Sequence, residues 1–195
     1  MLAYHQAALK ASRKKSFVER VLNELSRIRK QSVVRIHVSG DFYDAAYANK
    51  WLQIMEACRD KRFYFYTRSW RLPEIASVFR QMAKLRHVRV WYSYDEETGV
   101  PPRTVGRIRR AYMLVPGNER RHSRKDVTQA DPSGDRQTPP DLVFRVSQKT
   151  VEKRAAGALV CPAENGVTNA MCSSCELCFE EKKDPRRFSL TVIPA

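Results

Sequence analysis

The chain has 195 residues, a length suited to one domain with at most a small appendage. Apolar residues make up 43% of it, enough for a sizeable core, yet no apolar run approaches a membrane span. The net charge of +15 excludes an acidic protein and favours nucleic acid or another polyanion as a partner, while leaving the fold undetermined.

The N-terminus, MLAYHQAALKASRKK, has no continuous apolar segment and no secretory cleavage pattern, so a cytoplasmic location is expected. A helix is predicted from Ser16 to Arg29, where Ser16 and Glu19 have capping-box spacing. Val18, Val21, Leu22, Leu25 and Ile28 recur along it at helical period. A strand is expected over Val33 to Ser39, with Val34, Ile36 and Val38 alternating with Arg35 and His37. After a Gly40-Asp41 turn, a second helix from Asp44 to Arg59 carries Tyr47, Trp51, Ile54, Met55 and Cys58 on one stripe. The unit then repeats. Phe63 to Thr67 reads as an aromatic strand, and Pro73 suits the first turn of a helix reaching Leu85, with Ile75, Val78, Phe79 and Met82 on one face. Val88 to Tyr94 reads as a third strand.

This alternation predicts an α/β fold of βαβ units, either a partial βα barrel or an open parallel sheet with helices. Further on, strands are expected at Ala111 to Val115, Leu142 to Val146 and Ala158 to Val160. Residues 116–140, rich in Gly, Pro, Ser, Asp and Arg, read as a basic surface loop that is disordered without a partner. The expected organisation is a βα-repeat core at 1–115, that loop at 116–140, and a small cysteine-rich metal-binding segment at 141–195.

Four of the five cysteines lie in the last 35 residues. Cys172, Cys175 and Cys178 form C-x2-C-x2-C, and Cys161 precedes them, followed by a proline. In a reducing compartment such clustered thiols serve as ligands more often than as disulfides. Zinc sites usually draw on two separated C-x2-C pairs, whereas a triple at steps of three with a remote Cys-Pro is nearer the ferredoxin pattern. The spacing therefore favours a [4Fe–4S] cluster on these four cysteines, with zinc as the alternative. Cys58, on a helix stripe, reads as a small buried hydrophobe.

In parallel α/β folds, ligands bind where the loops leave the carboxyl ends of the strands. Polar residues recur there: Ser39, Gly40 and Asp41; Thr67, Arg68 and Ser69; and Ser93 and Asp95. Gly40 suits close approach of a ligand, Asp41 and Asp95 suit an ammonium or hydroxyl, and Arg68 suits a carboxylate or phosphate. Taken singly, each also serves as an ordinary turn or cap residue. His37 reads either as a satisfied interior histidine or as a member of the same cleft. Basic clusters fall at 10–30 and 103–125, each with eight Lys or Arg, and suit sequence-independent phosphate contact.

Three stretches, VVRIHVSGDFYDAAYANKWLQIM (33–55), FYFYTRSW (63–70) and CPAENGVTNAMCSSCELCF (161–179), together with SYDEETGVPP (93–102), resemble the gene product 88-like family found in phages and mobile elements. That resemblance implies an architecture similar to radical S-adenosylmethionine (SAM) enzymes, which bind a SAM-cleaving [4Fe–4S] cluster on an N-terminal C-x3-C-x2-C. It would put Ser39, Gly40 and Asp41 beside the SAM amino group and an auxiliary cluster on the terminal cysteines. Family members are expected to carry a cysteine-rich segment ahead of the first helix, whereas here no cysteine precedes Cys58. SAM is therefore expected only if that motif lies upstream. The leading expectation is an iron–sulfur protein with a degenerate or truncated radical-SAM-like core, its cluster structural or electron-transferring. The alternative is a basic nucleic-acid-binding accessory protein with a zinc-stapled C-terminus. No P-loop, nucleophile elbow or dinucleotide fingerprint supports a conventional hydrolase or transferase.

Overall fold

A computed structural model describes residues 2–95, 97–102, 107–113, 141–144, 159–161 and 178–179. The chain forms two compact units, residues 1–90 and 91–195. In the first, α1 (Leu2–Arg13) and α2 (Phe17–Ser26) precede β1 (Val33–Ile36), α3 (Ala45–Ala57), β2 (Arg62–Thr67) and α4 (Pro73–Met82). A strand β3 (Val88–Tyr94) begins there and continues into the second unit, which holds β4 (Ile108–Met113), β5 (Leu142–Phe144) and β6 (Leu159–Val160).

The fold is α/β with parallel strands, as the βα rhythm predicts. β1 and β2 pair in parallel with Val34 opposite Phe63 and Ile36 opposite Phe65. In the second unit β4 pairs with β5 and β5 with β6, both in parallel. Parallel neighbours need long crossovers, and α3 and α4 supply them between β1, β2 and β3. Every residue of β3 is buried, as expected of a strand covered on both faces. Even Arg89 is withdrawn from water. Its Nη1 donates to the carbonyls of Arg86 and Val88, so the buried guanidinium keeps hydrogen-bond acceptors.

The predicted stripes of α3 and α4 face the core. Ile75, Val78, Phe79 and Met82 of α4 are all buried, as are Tyr47, Ile54 and Met55 of α3. Trp51 and Cys58 are only half-buried, so Cys58 is less enclosed than the stripe implied. Phe42, in the loop after β1, is the aromatic hub, with its ring centroid within 5.0 Å of those of His37, Phe65 and Phe79. α3 packs against both α2 and α4.

Several boundaries differ from expectation for local reasons. β1 ends at Ile36 because His37 adopts a φ of +59°, a left-handed conformation that cannot continue a ladder. Val38, expected to face inward, is instead 83% exposed. The capping box at Ser16 is not made, since its side chain bonds no backbone N–H and α2 stops at Ser26. Of the α2 stripe only Leu25 is buried, while Ile28 lies beyond the helix and is exposed. The stripe marks a peripheral helix. α1 was not anticipated. Its C-terminal carbonyls are satisfied by α3, where Lys50 Nζ donates to Ser12 O at 2.7 Å and Lys14 O at 3.1 Å. β4 lies earlier than the expected Ala111 to Val115, and the predicted loop at 116–140 lies outside the described residues. Among the described residues no helix is long and apolar enough to cross a membrane.

Candidate functional site

The two loops that follow β1 and β2 in the first unit are joined by one carboxylate. Asp41 Oδ1 accepts from Phe42 N at 2.7 Å and from Thr67 Oγ1 at 2.6 Å, while Oδ2 accepts from Arg68 N at 2.6 Å. Thr67 Oγ1 in turn accepts from Ser69 N at 3.0 Å, and Ser69 Oγ donates to Phe42 O at 2.6 Å. Asp41, Thr67, Arg68 and Ser69 are thus joined by hydrogen bonds at the carboxyl ends of β1 and β2. Thr67 and Ser69 are buried, so these hydroxyls serve the loop-to-loop connection.

Ser39 and Gly40 occupy the exposed part of the same cluster. Gly40 has a φ of +82°, which L side chains rarely adopt, and a Cβ there would meet no atom within 4 Å. Its backbone therefore faces open space, which leaves room for a ligand to approach. Arg68 is half-buried.

His37 stands at the entrance to this loop. Its Nε2 shares a hydrogen bond of 2.8 Å with the Tyr47 hydroxyl, whereas its buried Nδ1 has no partner. Burial pulls the imidazole pKa below its ordinary value, with the Asp41 charge acting in the opposite sense. Burial raises the Tyr47 phenol, opposed by the Trp51 indole. His37 is therefore a neutral hydrogen-bonding group packed among aromatics, nearer the interior reading than the ligand-facing one.

In the second unit, Ser93 and Asp95 lie at the end of β3, both buried. Asp95 forms a reciprocal turn with Thr98. The Asp95 N–H donates to Thr98 Oγ1 at 2.8 Å, and Thr98 N donates to Asp95 Oδ1 at 2.9 Å. Gly99 N then donates to Asp95 O at 3.2 Å, with Gly99 at a φ of +72°. Nearby, burial pushes the Tyr94 phenol up to about 12.

The cysteine motif also belongs to the second unit. Cys161 directly follows β6 and is buried, and Cys178 is half-buried with Phe179 buried beside it in sequence. The Cys178 carbonyl accepts from Trp91 Nε1 at 2.8 Å. Cys172 and Cys175 lie outside the described residues, and among the described residues no group of three or more His, Cys, Asp or Glu is gathered around a metal position. The donor set itself, four thiols within 18 residues whose first member is withdrawn from water, is chemically suited to a thiophilic metal or an iron–sulfur cluster. Sequence reasoning missed Trp91. A tryptophan within a buried strand is a signal that its N–H needs an acceptor, but the sequence does not say which.

No curated protein and no solved structure matches the chain. A family model does, and it spans residues 1–181, covering the strand-end loops and all four clustered cysteines. The chain belongs to the gene product 88 family.

Proposed function

We propose that the protein is an iron–sulfur protein in which Cys161, Cys172, Cys175 and Cys178 hold a [4Fe–4S] cluster of structural or electron-transferring role. The observation that carries this reading is the burial of Cys161 at the end of β6, ahead of a C-x2-C-x2-C run in the same unit. A buried thiol followed in the sequence by three more at steps of three is a poor packing solution and a good ligand set. When bound, the cluster would supply a one-electron couple, and the chain's own part is to present the thiolates and limit solvent access. The loops after β1 and β2 form the small-ligand site, with Ser39 and Gly40 at the contact surface and Asp41 holding the two loops in register. The parallel βα units support kinship with radical SAM architecture, in which this loop would lie beside the SAM amino group.

Metal and sulfide analysis of protein purified without oxygen tests the reading. About four iron and four sulfide per chain, with broad visible absorption, are expected. About one zinc without sulfide would overturn the iron–sulfur assignment. Cys175→Ala is expected to lose the metal, whereas Cys58→Ala keeps it.

A second reading, binding to nucleic acid or another polyanion, is favoured by charge segregation. Residues 1–90 carry 19 Lys or Arg against seven Asp or Glu. Affinity for a labelled single-stranded oligonucleotide should then fall at least about tenfold between ~50 and ~200 mM salt. Salt-independent binding, or none at the lower salt, would exclude it.

A further inference from the structure

The last cysteine of the motif is tied to a strand of the second unit by a side chain far from it in sequence. Trp91 is 2% exposed, and a buried indole must place its N–H on an acceptor. The acceptor is the backbone carbonyl of Cys178, 87 residues further along the chain, at 2.8 Å. Arg109 of β4 lies over the same indole, its guanidinium carbon 5.4 Å from the ring centroid. A cation over the ring withdraws electron density and makes the N–H a better donor. The neighbouring Phe179 is buried as well, beside the carbonyl that accepts this bond.

We propose that Trp91, polarised by Arg109, is the positioning residue of the cysteine centre and fixes the Cys178 backbone from which that ligand is presented. This rests on the metal-centre reading above. The bond is made to the main chain, so it constrains the ligand without competing for its sulfur. Partners of this kind orient ligands and tune the centre, and their loss weakens retention of the metal more than it disturbs the fold. The Arg109 charge, one aromatic ring away from the Cys178 backbone, favours the more negative, reduced form of a bound cluster.

The test uses the full chain reconstituted with iron and sulfide without oxygen. Iron release to a chelator is followed by the loss of visible absorption. Trp91→Phe keeps a six-membered aromatic ring but removes the N–H with the rest of the indole, and it is expected to release iron about five- to tenfold faster than wild type, the equivalent of one hydrogen bond. Trp51→Phe makes the same kind of change at a half-buried indole of the first unit and is expected to release iron at the wild-type rate. Arg109→Gln is expected to release iron about twofold faster and to lower the reduction potential, a readout that a purely structural role would leave in place. Wild-type release from Trp91→Phe would overturn the proposal while leaving the metal reading intact. If Trp91→Phe does not fold, Arg109→Gln decides, and an unchanged release rate with an unchanged potential overturns it. A wild-type chain that takes up neither iron nor sulfide would instead defeat the metal reading itself.

Discussion

Asp41 shows how one side chain can organise two loops. Its two oxygens accept three hydrogen bonds, two from the chain's N–H groups and one from the Thr67 hydroxyl. Asp41→Asn would turn one acceptor into a donor facing a donor, so a loss of about 1–2 kcal/mol is expected, read as a lower urea midpoint. His37 makes a second prediction at this scale. Its pKa is depressed in the fold, so the unfolded chain takes up a proton first. The stability linked to neutral His37 is full above the unfolded value of 6.5 and is lost as pH falls through it towards the lower folded value. Urea midpoints at about pH 7.5 and about pH 5.5 should differ more for wild type than for His37→Gln. An equal difference in both proteins would rule out His37 as the titrating group.

Among the elements, the two N-caps of α2 and α3 make opposite predictions. Asp44 accepts from Tyr47 N at 2.6 Å and caps α3. Its replacement by Ala should cost about 1 kcal/mol. Ser16 makes no side-chain cap bond to α2. Ser16→Ala should therefore lie within about 0.5 kcal/mol of wild type in the same denaturation assay. The α3 and α4 stripes were legible because period and burial coincide there, and β3 because five of its seven residues are valine or aromatic, which suits a strand covered on both faces. α1 was not legible. Its segment LAYHQAALKASR has no acidic residue in its first turn, and its C-terminal carbonyls find their donor in Lys50 of α3.

Across the whole chain, charge is the property that matters most. The 36 basic residues outnumber the 21 acidic ones, so like-charge repulsion is expected, and most of the excess falls in residues 1–90. Screening should then stabilise the folded state, with the urea midpoint rising as salt increases from ~0.02 to ~0.3 M. A falling midpoint would show that attractive pairs dominate instead. The same excess underlies the polyanion reading, in which salt has the opposite effect on binding.

By itself the sequence determined the α/β class, the parallel strand-to-helix rhythm, the core faces of α3 and α4, and the four clustered thiols. Each is written in local period or spacing, and nearest-neighbour physics reads it directly. Only the tertiary structure decided that His37 turns left-handed and ends β1, that Asp41 bonds Thr67 and the Arg68 backbone, and that Trp91 holds Cys178. These joins link residues 26, 27 and 87 positions apart. A hydrogen bond made at such separation depends on where two elements come to rest, and no local propensity records that.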